Sequence, residues 1–327
     1  MTASDEVLDR LVTAADLDGL VRHVDACCAA RDWDGLVAVR VRCRGAIDSG
    51  RQLWPAVTLA EYRLALHAPG LYAAAVLHER AGWFAPGPLT EVAASTHTWA
   101  ELAGHLAPGP LTTFAAHERV LRGEDLTHDP LLDRNVLDLP ARLQPWEPRY
   151  QLAVYTDDGG TFDPPPLPAV RAVDLPERPV TVDDSDSLQA LRGVVEAWTA
   201  ESNGRAEAVA VEGDHLDAIA ALGVPAARAA ELTPKAALAW IAWAGASGGA
   251  HGRRRGAARG RFEAWWVATT LAGLDWSPSP DELGDTIGQL HWYWWDANEP
   301  VTGWRLQLAV HDPGDGLAWA ISAADAT

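Results

Sequence analysis

Lysine is almost absent from this chain of 327 residues: Lys235 stands alone among 26 basic side chains, and the remainder are arginine. Positive charge as a whole is short. The 26 Lys+Arg face 45 Asp+Glu for a formal net charge of −19, which argues against broad, non-specific adhesion to nucleic acid or anionic lipid. Cysteine is scarce. Cys27, Cys28 and Cys43 are odd in number and form no Cys-x-x-Cys pair, so a disulfide framework is excluded and reduced thiols in a cytoplasm are expected. Long apolar runs are missing. The longest nearly apolar stretch, Ala236 to Ala246, has 11 residues and suits a buried helix, because a membrane span needs about 20. The opening Met1-Thr-Ala-Ser-Asp-Glu-Val7 has neither a basic n-region nor an apolar h-region, so no secretory signal is expected. Gly-x-x-x-x-Gly-Lys-Ser/Thr and a properly placed Gly-x-Gly-x-x-Gly are both lacking, and no cofactor is expected.

Tryptophan, by contrast, is abundant: 16 against 4 phenylalanines. Each ring offers large contact area and one N–H that needs a partner when buried. The length allows roughly two domains with cores of their own. Residues 1–123 predict an all-helical domain. Asp16-Leu-Asp-Gly-Leu-Val21 recurs as Asp32-Trp-Asp-Gly-Leu-Val37, each copy with an aspartate placed to cap the helix that follows. Ala68-Pro-Gly through His78-Glu-Arg80 recurs 39 residues later as Ala107-Pro-Gly through His117-Glu-Arg119, a period near that of paired-helix solenoids. Such a domain commonly docks another protein.

Residues 124–183 predict a proline-rich acidic linker with one short strand, Tyr150 to Tyr155. Between Glu124 and Ser187 lie 10 of the 22 prolines, with 14 acidic and 5 basic residues. Residues 184–327 predict a mixed domain. A helix capped by Asp184 runs through Trp198, followed by a strand over 205–211 and helices over 214–222, 234–246 and 260–272. Three strands, 290–296, 303–310 and 317–322, are joined by turn compositions into an antiparallel meander. The fold class is therefore α+β.

Five arginines within nine residues, Arg253, Arg254, Arg255, Arg259 and Arg261, follow a glycine-rich run containing Gly248, Gly249 and His251. Such a backbone can aim N–H groups at an anion, and arginine adds bidentate donors. Phosphate or a local nucleic-acid contact is one reading. Pairing with carboxylates of the linker or of a partner ranks ahead of it, since everything outside the cluster carries −24. The strand 290–296 would show His291, Tyr293 and Trp295 on one face. Together with Trp265 they offer a stacking surface for single-stranded nucleic acid if that face stays open, whereas the default is core packing.

Gly245-Ala-Ser-Gly-Gly249 matches a nucleophile elbow, with Asp296 and His311 downstream, but the elbow needs a strand before Ser247, and 235–244 reads as helix. Arg253-Arg-Arg-Gly-Ala-Ala258 resembles the pyrophosphate loop of N-acetyltransferases over about six residues, a fold that requires several strands upstream. His23 and Cys27 lie one helical turn apart with Asp25 and Cys28 nearby; no second pair converges on them, so no metal is expected. As a whole the chain resembles an uncharacterised actinobacterial family, through Arg31-Asp-Trp-Asp-Gly-Leu-Val37, Gln52-Leu-Trp-Pro55, Leu59 to Ala65, Thr98 to Ala103 and Ser247 to Trp266. That resemblance implies no activity. The expected protein is a cytoplasmic, non-enzymatic binding protein or adaptor that docks a protein partner through its helices and an anion through the Gly/Arg segment. The runner-up is an acyl-transfer or serine-hydrolase enzyme with a pocket between the glycine-rich loop and the aromatic strand.

Overall fold

The two aspartates of the duplicated Asp-x-Asp-Gly-Leu-Val element start helices where their spacing predicts. After α1 (Ala3–Ala14), α2 (Leu17–Ala30) and α3 (Trp33–Asp48) open with Asp16 accepting from the Gly19 N–H and Asp32 from the Gly35 N–H, both at 2.9 Å. These caps satisfy first-turn donors that have no partner within the helix. The structure is a computed structural model, and it describes residues 3–78, 81–299 and 302–326. The chain divides into two units, Met1–Leu137 with Ala153–Thr161, and Asp138–Leu152 with Phe162–Thr327.

In the N-terminal unit, α4 (Trp54–His67) is buried almost all round and forms the hub against which α2, α3 and α6 (Leu89–Thr96) pack; α5 (Gly70–Ala75) precedes α6 in the chain. Glu61, 1% exposed within α4, is held by Arg40, Arg44 and the Gly82 N–H. The unit is completed by α7 (Trp99–Ala103), α8 (Pro110–Val120), α9 (Arg134–Leu137) and a hairpin of β1 (Val154–Thr156) with β2 (Gly159–Thr161). Both copies of the 39-residue repetition open a helix at their Pro-Gly break. The copies are unequal, with 6 residues in α5 and 11 in α8. Glu79 and Arg80 of the first copy lie outside the described residues.

The C-terminal unit is built on a fully antiparallel seven-stranded sheet of order β3-β6-β7-β8-β9-β5-β4: β3 (Arg171–Val173), β4 (Val180–Thr181), β5 (Arg205–Glu212), β6 (Ala227–Leu232), β7 (His291–Asp296), β8 (Trp304–Asp312) and β9 (Leu317–Asp325). The class is α+β, as the sequence predicts, but the sheet is larger than a three-stranded meander with one nearby strand. Two of the extra strands come from the proline-rich segment, where one strand at Tyr150–Tyr155 is expected and β1 to β4 are found. Both β3 and β4 are edge strands, so each pairs on one side only, and such edges are where neighbouring prolines are tolerated. The alanine-rich β6 was not predicted; its place between β3 and β7 overrides a weak local propensity.

Helices cover both sheet faces. On one lie α10 (Ser185–Val194), α13 (Pro234–Ala246) and α14 (Ala257–Leu271), which packs on both of the others; α11 (Glu196–Ala200) follows a break at Val195 in what reads as one helix. On the other, α12 (His215–Ala221) supplies Ala218 and Ile219 to a cluster with Val211, Trp295, Ala309 and Ala320. α15 (Pro280–Ile287) leads into β7. Among the described residues no helix is long and apolar enough to cross a membrane.

Candidate functional site

The arginine run lies in the loop between α13 and α14, and this loop is closed on itself. The Arg255 and Gly256 N–H groups both donate to the Ala246 carbonyl, at 2.8 and 3.2 Å. A side chain at Gly248 would collide with the backbone of Gly252 and Arg253, and Gly249 has φ +72°, so glycine is required at both. The turned backbone does aim N–H groups at oxygen acceptors, and those belong to the chain. Ala250 N–H donates to the Asp325 carboxylate at 2.6 Å, His251 N–H to Ser202 Oγ at 3.2 Å and Arg253 N–H to Glu201 at 3.3 Å.

Four of the five guanidinium groups are dispersed in the same way. Arg255 faces Glu196 at 3.9 Å, Arg259 pairs with Glu263 at 2.5 Å one helical turn on, and Arg254 lies over the Phe162 ring, 3.5 Å from its centroid. Arg261 leaves the surface cluster altogether. It is fully buried, forks onto both oxygens of Glu147 at 2.7 Å, and donates to the Pro140 and Arg142 carbonyls. Trp265 Nε1 and Tyr150 Oη add hydrogen bonds to Glu147 at 3.0 and 2.7 Å. Burial pushes the Glu147 carboxyl upward, yet the Arg261 charge and these hydrogen bonds outweigh it and leave the group below its ordinary range. Trp265, expected beside an exposed aromatic face, is 2% exposed against Trp146, ring centroids 4.8 Å apart.

The expected open face of β7 is mostly closed. Trp295 is 0% exposed under α12, Tyr293 is half-buried and stacks on His215 with centroids 3.5 Å apart, and only His291 is exposed. His291 sits opposite His311 in the β7–β8 register, 5.8 Å between ring centroids. Burial lowers the His215 pKa, and His311 and His291 add to that against Asp214 and Asp217. Among the described residues no group of three or more His, Cys, Asp or Glu is arranged to hold a metal ion.

The elbow pattern sits at a helix end. Ser247 is the C-cap of α13, 2% exposed, its Oγ donating to the Ala244 carbonyl and accepting from Trp198 Nε1. Asp296 is engaged bidentately by Arg228 at 2.9 and 3.1 Å. The acetyltransferase-like hexapeptide has more strands upstream than expected, but the element that enters it is helix α13.

What the sheet and α13 do enclose is a cavity of about 230 Å³. Trp240 and Trp243, three residues apart on α13, meet Trp294 of the aromatic strand and Trp304 of β8 on its wall, with Phe162 at the rim. Trp240 contacts Trp294 with centroids 4.3 Å apart, and Trp243 stacks on Trp304 at 4.9 Å. Trp243 Nε1 is buried without a hydrogen-bond partner, as is Gln307 Oε1, whose side chain the β8 register turns to the α12 face, opposite Trp304. Asp296 and Arg305 are the charged members of the wall. Sequence reasoning singled out Trp294 as part of the aromatic strand and missed the rest. The i, i+3 spacing of Trp240 and Trp243 on a helix facing the alternate tryptophans of β7 was the available signal.

A wider groove of about 1070 Å³ runs beside α10 and α14. Phe262, Trp266 and Trp276 form an aromatic wall there, 5.3 Å separating Trp276 from each of the other two. Glu263 lies in the groove with its pKa raised, because burial outweighs the charges of Arg259 and Arg255.

The molecule is thus an α+β protein with a helical unit and a tryptophan-lined antiparallel-sheet unit. Residues 18–327 match the model of a family of unknown function, DUF6183, and the chain belongs to that family. No curated protein and no solved structure matches it.

Proposed function

We propose that the protein works by binding, and that the tryptophan-walled cavity of the C-terminal unit receives a small, ring-sized ligand. The observation that carries this reading is the aromatic wall itself, where Trp240, Trp243, Trp294 and Trp304 line a cavity of about 230 Å³. A mostly apolar pocket with a few placed polar groups is the general form of a ligand site. The helical unit is read as the protein-docking half of a cytoplasmic adaptor, supported by the exposure of Trp83 and Phe84, 53% and 67%. The Gly/Arg segment is an anion-binding loop whose anions are internal, namely Asp325, Glu201, Glu196, Glu263 and Glu147. The catalytic alternative has less support, since Ser247 Oγ is buried and already engaged in two hydrogen bonds.

A ligand-observed NMR screen of single-ring compounds tests the proposal. The folded parent is expected to bind members of the set, and Trp304→Ala to weaken them on the order of tenfold or more through lost stacking. Absence of any ring compound bound by the folded parent at millimolar concentration overturns it.

A further inference from the structure

We propose that the groove beside α10 and α14 docks a basic segment of another protein, which seats its side-chain cations on the aromatic wall of Phe262, Trp266 and Trp276. The groove is separate from the tryptophan cavity, so this proposal stands or falls independently of the ring-sized ligand.

The pattern of α14 comes first. Of its 15 residues only Arg259, Phe262, Trp266 and Thr270 are not buried, and they fall at the spacing of one helical stripe. The rest of the helix is covered, chiefly by α10 and α13. On a solvent-facing stripe polar residues are the rule, yet the middle of this one is aromatic. Trp276, from the segment that follows α14, joins it with its ring centroid 5.3 Å from those of Phe262 and Trp266. Trp266 stays 38% exposed. A contiguous aromatic patch left open beside polar residues is the form of an interaction surface. The groove volume of about 1070 Å³ exceeds the roughly 300–1,000 Å³ of sites for drug-sized ligands, so several residues of a partner chain fit.

Charge selects the occupant. Seven of the lining residues are acidic and two, Arg192 and Arg259, are basic. Both cations are already engaged within the chain, Arg192 with the Ala208 carbonyl at 2.9 Å and Arg259 with Glu263 at 2.5 Å. Asp184 and Asp312 are also engaged: the first accepts from the Ser187 N–H and Trp319 Nε1, the second from the Gly314 N–H. Asp186, Asp275 and Asp315 are different. They are exposed and pair with no cation among the described residues, and Glu196 reaches Arg255 only at 3.9 Å.

A negative field beside open indole faces suits a cation, which the ring faces attract as well. The same rings could stack nucleobases, but the carboxylates would repel the phosphates. A neutral sugar chain would use the rings and leave the carboxylates without a counter-charge. An arginine- or lysine-bearing segment uses both features of the groove.

The test is isothermal titration of the full-length chain with four probes: an octapeptide alternating arginine and serine, its glutamate counterpart, cellohexaose and octathymidylate. The basic peptide is expected to bind best, and added salt to weaken it. Trp266→Ala is expected to reduce its affinity at least about threefold through the lost ring face, with the unfolding midpoint checked in parallel, while Trp83→Ala, an exposed indole of the helical unit, leaves it unchanged. A protein of net charge −19 attracts basic peptides everywhere, so a matched pair of charge variants separates the groove from the field. Asp186→Asn with Asp275→Asn should weaken the peptide several-fold more than Asp18→Asn with Asp48→Asn, exposed acids of the helical unit. Equal losses in the two charge variants, or an unchanged affinity in folded Trp266→Ala, overturn the proposal. So does absence of binding by the basic peptide, or preference for cellohexaose or octathymidylate; none of these results touches the reading of the tryptophan cavity.

Discussion

Replacing Arg261 with methionine removes a cation that no solvent reaches and leaves a carboxylate that solvent does not reach either. Both side chains of the Arg261–Glu147 pair are 0% exposed. In Arg261→Met, Glu147 retains Trp265 Nε1, Tyr150 Oη and the Gln144 N–H as donors, but loses both guanidinium contacts, and the Pro140 and Arg142 carbonyls lose theirs. Breaking one side of a buried pair costs about 3–5 kcal/mol, most of it the uncompensated charge rather than the worth of the pair. For a unit of 150–250 residues that corresponds to roughly 2–4 °C per kcal/mol, hence a fall of about 6–20 °C in its midpoint. Glu147→Gln strands the opposite charge and should cost a similar amount, while the double variant, with no buried charge left, should be better than the sum of the singles by about 2 kcal/mol. Urea unfolding followed by tryptophan emission reads the right unit, because the N-terminal unit holds only Trp33, Trp54, Trp83 and Trp99.

The pH dependence has a definite sign. Glu147 lies below its ordinary value of 4.5, so its contribution is fully present above pH about 4.5 and is lost as pH falls through the lower folded value. The gap between parent and Arg261→Met should shrink as pH falls, and it should begin to do so above the parent's own range, because without the Arg261 charge burial is less opposed at Glu147. A loss under about 1 kcal/mol at pH 7, or strictly additive singles, would refute the view that Arg261 is a structural cation and return it to the surface cluster.

Arg253→Ala, Arg254→Ala and Arg255→Ala together should leave retention on labelled single-stranded DNA or RNA at low salt equal to that of the parent, and a salt-sensitive loss of binding would restore an external anion. His215 has a lowered pKa from burial, reinforced by His311 and His291 and opposed by Asp214 and Asp217; as pH falls through about 6.5 the unfolded chain takes the proton first, so stability of the C-terminal unit declines there. His215→Gln should flatten that slope in urea titrations from pH 7.5 to 5, and an unchanged slope would remove His215 from the account. Burial pushes the Cys27 and Cys43 thiols up to about 11 and raises Cys28 as well, so native protein at pH 8 should react with a disulfide reagent far more slowly than urea-unfolded protein; one thiol per chain reacting at the unfolded rate counts against this.

The α+β class, the caps at Asp16 and Asp32, and the helices over 234–246 and near 260–272 were legible because periodicity and capping act locally. Charge pairing in the arginine run was legible as a sum, from 45 acids against 26 bases, but the partners were not. Glu147, Glu196 and Asp325 lie 114, 59 and 75 positions from the guanidinium or N–H groups they meet, and no spacing rule connects them. The edge strands β3 and β4 were hidden by the prolines around them, which read as linker until a sheet edge is there to accept them.

The tryptophan cavity was hidden for a different reason. Each of its rings has a sufficient local explanation: Trp240 and Trp243 lie on an apolar helix, Trp294 on a strand with both faces covered, and Trp304 near the start of another. Burial of tryptophans needs nothing beyond a core. What separates a site from a core is the fate of the polar atoms, and a sequence does not show it. Trp295 Nε1 finds the Leu308 carbonyl, Trp292 Nε1 the Ile287 carbonyl, Trp198 Nε1 the Ser247 hydroxyl and Trp319 Nε1 the Asp184 carboxylate. Trp243 Nε1 finds no partner. A core that pairs those four indoles and leaves Trp243 Nε1 without a partner spends stability without a packing reason.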